Sequence, residues 1–92
     1  MSLDVYIYKA DFKTNPKQII LTEIVTLFGV WDFIDYFEFD GNNGYYEISG
    51  KLLHEAANQS KDNEKKYILG CFKENQKVSK ADDEYYFLSY SY

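Results

Sequence analysis

Tyrosine sets the terms on which this chain can fold. Ten of its 92 residues are Tyr, beside seven Phe and one Trp, so aromatic side chains make up 20% of the sequence. A chain this short buries a smaller fraction of its surface than a longer one, and every large apolar side chain counts towards its stability. A buried Tyr needs a partner for its hydroxyl, whereas a half-exposed Tyr keeps its tip in water. The aromatic residues must therefore divide between core and edge. Their sequence neighbours assign Phe28, Trp31, Phe37 and Phe72 to the core, and Tyr36, Tyr45, Tyr85, Tyr90 and Tyr92, which lie beside acidic groups, to the surface.

Patterning along the chain indicates a single α+β domain spanning residues 1–92, with about four mostly antiparallel strands and two or three helices on one face. Leu3, Val5 and Ile7 alternate with Asp4, Tyr6 and Tyr8, the period of a strand over 3–9. Asn15, Pro16 and Gln18 resemble an N-cap, a first-turn proline and a capping-box partner. With Ile20, Ile24, Leu27 and Phe28 at helical spacing and Gly29 as a left-handed stop, they predict a helix over 16–28. The run 30–40 fits either a helical face (Trp31, Ile34, Phe37) or a strand (Phe37 and Phe39 between acids). The turn residues Asp40-Gly41-Asn42-Asn43-Gly44 favour the strand, in a hairpin over 34–48. Ser49 caps an expected helix over 50–60, and Asp62 or Asn63 an amphipathic one carrying Tyr67, Ile68, Cys71 and Phe72, a run short and apolar enough to be a strand instead. From Tyr85 to Tyr92 the alternation is that of a strand, with Tyr86, Leu88, Tyr90 and Tyr92 on one face.

Charge narrows the partners. Ten Lys and no Arg face fifteen acids, a net charge of -5. Bidentate grip on phosphate is mainly arginine chemistry, so the composition argues against a nucleic-acid site. The one basic block, Lys61, Lys65, Lys66, Lys73, Lys77 and Lys80, reads first as a solvated helix face. Its lysines are the backbone contacts in a weaker reading, a single-strand nucleic-acid binder stacking bases on Tyr86, Tyr90 and Tyr92. The lone Cys71 makes no internal disulfide, and neither a signal-peptide pattern nor an apolar run of membrane length occurs, so the expected location is cytoplasmic with no membrane contact.

Catalytic and metal signatures fall short residue by residue. His54-Glu55-Ala56-Ala57-Asn58 approaches the zinc-protease helix motif, but Asn58 stands where the second histidine is required. The loop beginning at Asp40 has Gly44, Tyr45 and Lys51 where a calcium loop needs a ligand, a glycine and a glutamate. No glycine-rich phosphate loop is present, so no metal or cofactor is expected. An enzyme using His54 with Cys71 or a carboxylate pair needs an adjacency that spacing does not supply.

What distinguishes the chain is acids interleaved with aromatics. Asp32, Asp35, Tyr36, Glu38 and Asp40 form one such stretch; Tyr45 follows, and Asp82, Asp83, Glu84, Tyr85, Tyr90 and Tyr92 form another. Aromatics anchor interfaces, and nearby carboxylates speed encounter with a positive partner. These residues point to a non-enzymatic module that binds a basic protein: a small acidic inhibitor of the toxin-immunity or phage anti-defence type, masking a nucleic-acid-processing enzyme. A self-associating structural subunit is the other expectation.

Overall fold

The computed structural model describes residues 2–14, 17–37 and 44–92, an α+β arrangement of one four-stranded antiparallel sheet with helices on one side. The strands are β1 (Asp4–Thr14), β2 (Lys17–Phe28), β3 (Tyr46–Ser49) and β4 (Tyr85–Ser91), in the order β2-β1-β4-β3. Three helices, α1 (Trp31–Asp35), α2 (Gly50–Gln59) and α3 (Asp62–Lys73), precede a short 3-10 turn at Glu74–Gln76, where Asn75 and Gln76 both take positive φ.

The helix expected over 16–28 is instead β2. Six of its twelve residues are β-branched (Ile19, Ile20, Thr22, Ile24, Val25 and Thr26), which suits a pleated surface better than a helix. The helical spacing is the product of a bulge. Ile7 pairs with Val25 but Tyr8 with Glu23, so Ile24 is an extra residue. That insertion switches the phase of alternation, and apolar residues at 20, 24 and 27 imitate helical turns. Gly29 does take a left-handed φ of 68°, but between β2 and α1, with its N–H bonded to the Leu3 carbonyl at 2.9 Å. The capping signature at Asn15-Pro16 lies outside the described residues.

A second correction concerns the hairpin expected over 34–48. Residues Trp31–Asp35 are helical because Phe33 and Ile34 bury against the helical layer, and among the described residues β3 pairs with β4. The turn over 40–43 lies outside the described residues. The expectations over 50–60 and from 62 onward hold as helices; Ser49 Oγ accepts the Leu52 N–H at 3.2 Å. At α3 the cap is Lys61, not Asp62 or Asn63, and it has no side-chain cap of its own.

Leu3, Val5 and Ile7 (β1 side), Val25 and Leu27 (β2), Ile48 (β3) and Tyr86 and Leu88 (β4) form the floor of the core. Phe33, Leu53, Ala56, Ile68 and Phe72 close it from the helical side. Phe72 is the one expected core aromatic that is fully buried. Phe28 is 61% exposed and Trp31 44% exposed, since β2 turns Phe28 outward opposite Asp4 and Trp31 opens α1 at the molecular edge. Conversely Tyr90, expected at the surface, is half-buried against the core.

Pairing of β1 with β4 covers Asp4 to Lys9 only, whereas β1 and β2 stay paired as far as Thr14 and Lys17. Among the described residues, 10–14 and 17–22 therefore project as a two-stranded arm. It accounts for the 45 Å long axis of a molecule 28 by 18 Å in its other dimensions.

Candidate functional site: the outer sheet face and an aromatic corner

Alternation puts Tyr6 and Tyr8 of β1, and Phe87 of β4, on the face of the sheet that no helix covers. Register aligns them across all four strands: Glu23 opposes Tyr8, Tyr8 opposes Phe87, and Phe87 opposes Glu47. One row thus reads carboxylate, aromatic, aromatic, carboxylate. Tyr45 stands edge-on against Tyr8, with ring centroids 5.3 Å apart at 83°. Beside the row, Lys9, Glu47, Asp83, Glu84, Tyr85 and Phe87 help line a hollow of about 230 Å³. Asp4, Glu23 and Glu47 are the acids of the described outer-facing strand positions; the lysines close to them are Lys17, at the end of the arm, and Lys9, which helps line the hollow. The basic block lies instead on α3 and the segment after it.

The expected site residues do not form one patch. Asp82, Asp83, Glu84 and Tyr85 gather where β4 begins; Asp32, Asp35, Tyr36, Tyr90 and Tyr92 gather where it ends; Tyr45, just before the Tyr46–Leu88 pair, stands between them against Tyr8. At about 3.3 Å per residue the two groups stand roughly 20 Å apart. Tyr85 and Tyr90 also point to opposite sides of the sheet. Glu38 and Asp40 lie outside the described residues. Sequence reasoning missed Glu23, Glu47, Tyr8 and Phe87. The alternation over 3–9 already exposes Tyr8, but Glu23 was concealed by the helical spacing of β2.

Two of the acids near α1 build structure. The first turn of a helix leaves N–H groups unpaired. In α1 the Phe33 N–H is taken by Glu64 Oε1 of α3 at 2.8 Å, while Asp32 Oδ2 of α1 takes the Lys61 N–H at the start of α3 at 3.2 Å. Each helix caps the other. Burial pushes the Glu64 carboxyl above its ordinary pKa; the Phe33 N–H opposes this, and the neighbouring Asp32 carboxylate adds to it. Tyr36 reaches Glu55 Oε2 at 3.4 Å. Asp82 lies 3.7 Å from Lys51, an exposed pair of little energetic weight.

No family model, curated protein or solved structure matches the chain. Its chemistry has to be read from its own side chains. His54 is buried, its Nδ1 donating to the Gly50 carbonyl at 2.9 Å and its ring packed on Phe72 at 5.1 Å. Burial and the Glu74 carboxylate push the Cys71 thiol up, away from the thiolate form a nucleophile needs. Among the described residues no three His, Cys, Asp or Glu side chains converge as a metal site. Among the described residues no helix is long and apolar enough to cross a membrane. Of the three tyrosines expected to stack bases on β4, Tyr86 is 3% exposed with its hydroxyl accepting the Ser79 N–H at 2.9 Å, Tyr90 is half-buried against the core, and Tyr92 is exposed.

Proposed function

We propose that the chain is a non-enzymatic protein-binding module, a small acidic inhibitor that lays the outer face of its sheet on the basic surface of a nucleic-acid-processing enzyme. Toxin-immunity and phage anti-defence proteins exemplify this mode of action. The cross-strand row Glu23, Tyr8, Phe87, Glu47 carries the reading. Aromatic side chains on a sheet are rigid anchors that lose little entropy on binding, and flanking carboxylates attract a cationic surface while repelling nucleic acid. With a net charge of -5, the chain adds a long-range field of the same sign.

The test is capture of a partner from source-cell lysate at low salt with three baits: the native chain, Glu23→Lys/Glu47→Lys, and Glu55→Lys/Asp62→Lys, the last pair exposed on α2 and α3. The two variants carry the same charge change on different sides of the molecule. Recovery of one basic protein by the native and helix-side baits, and its loss from the outer-face bait, is the expected outcome. Equal recovery by all three, or saturable binding of a single-stranded oligonucleotide to the native chain, contradicts it.

A second reading, self-association, draws on the projecting arm. Ile19 is 60% exposed and Ile20 37% exposed on a ribbon with a free edge. Sedimentation that is monomeric across micromolar concentrations removes it.

A further inference from the structure

We propose that the corner formed by α1 and the end of β4 is an arginine-binding box, which takes a guanidinium side chain of the partner protein. Trp31, Ile34, Asp35, Phe37, Tyr90 and Tyr92 line a hollow of about 270 Å³, and Asp35 has the single charged side chain among them. Trp31 and Tyr92 meet at 5.7 Å and 64°, and Tyr92 stacks on Tyr90 at 5.8 Å and 8°. The floor is fixed from beneath: Phe37 packs edge-on against the fully buried Phe33 at 5.3 Å, and Phe33 against Phe72 at 6.2 Å. Such a base holds the walls in place before anything binds, which lowers the entropy lost on binding.

The chemistry of the lining selects the occupant. The face of an aromatic ring is the negative side of its quadrupole and attracts a cation, and Trp is the strongest cation acceptor among the lining rings. An exposed carboxylate at the rim fixes the cation's position. A guanidinium fits both features, because it is planar enough to stack on an indole and presents a fork of N–H donors to a carboxylate. An ammonium offers only a compact, strongly hydrated charge. The box lies on the helix side of the sheet, about a strand length from the outer-face hollow, so a partner engaging both must wrap the end of β4.

Trp31 is the only tryptophan of the chain and forms one wall, so its fluorescence reports occupancy directly. N-acetyl-L-arginine methylamide should change that fluorescence saturably at millimolar concentration, the N-acetyl-L-citrulline methylamide control should not, and the lysine derivative should bind more weakly than arginine. Asp35→Asn, at an exposed position, should weaken arginine about two- to fivefold, and Tyr92→Ala should weaken it further while leaving the thermal transition in place. Equal responses to arginine and citrulline overturn the proposal, as do lysine binding as tight as arginine or an unchanged affinity in Asp35→Asn. The box rests on the binding-module reading only for the source of the arginine. Arginine binding without any effect of the Glu23→Lys/Glu47→Lys change on partner capture leaves the box and removes that reading, and the reverse pattern removes the box alone.

Discussion

At the scale of single residues, the reciprocal caps between α1 and α3 are the most exposed point of the structure. A five-residue helix has almost no stability of its own, so α1 depends on Phe33, Ile34 and the Glu64 carboxylate that pairs its first-turn N–H groups. Glu64→Ala should cost about 1 kcal/mol, the usual value of a lost cap, measured by urea denaturation. Glu64→Gln keeps an acceptor and sheds the buried charge, so it should cost less. The sign of the pH effect follows from the raised carboxyl. The folded chain holds that proton to higher pH than the unfolded chain, so the stabilisation it brings is complete below the ordinary glutamate range and is lost as pH rises through the raised folded value. Relative to Glu64→Gln, the native chain should therefore lose stability over that interval and run parallel above it. Gly50 is a second such point. A methyl group there would run into the Ser79 carbonyl oxygen, with the Tyr86 ring close behind. Gly50→Ala should destabilise by about 1–3 kcal/mol through overpacking, despite its higher helix propensity.

At the scale of elements, β2 makes a prediction that separates strand from helix. If residues 17–28 were helical, Phe28 would belong to the core; in the strand it faces outward, while Phe33 is sealed. Phe28→Ala should change stability by no more than about 0.5 kcal/mol and Phe33→Ala by about 3–5 kcal/mol, measured in the same denaturation series. The α+β class, α2 with its Ser49 cap, β4 and the first half of β1 were legible in the sequence, because each carries an uninterrupted period or a cap; β1 runs on to Thr14, beyond the alternation that ends at residue 9, and α3 was legible only as one of two alternatives, with its cap placed one or two residues late. Residues 17–28 were misread because one bulge residue, Ile24, converts a period of two into an apparent helical repeat. The segment Trp31–Asp35 was misread because its turn neighbours outweighed five residues whose conformation is fixed by tertiary burial and by the Glu64 carboxylate, 31 residues on from Phe33. The acidic and aromatic character of the candidate surface was visible, but its geometry was not. Glu23 and Glu47 reach Tyr8 and Phe87 only through strand register, which no local pattern encodes.

At the scale of the whole molecule, charge and shape divide between the two sides of the sheet. One side carries the helices with the lysine block; the other carries Tyr6, Tyr8, Tyr45, Tyr85 and Phe87 among carboxylates. Steering by such a face acts chiefly on the association rate and weakens as salt screens it. The most direct measurement is stopped-flow association with the captured basic partner, from low to 0.5 M salt (about 30 to 4 Å of screening length). Three proteins are compared: the native chain, Glu23→Lys/Glu47→Lys and Glu55→Lys/Asp62→Lys. A rate that falls steeply with salt in the native and helix-side proteins, and is at least about tenfold lower and nearly salt-independent in the outer-face variant, is the expected result. A salt-insensitive native rate, or the same loss in both variants, would contradict docking through the outer face of the sheet.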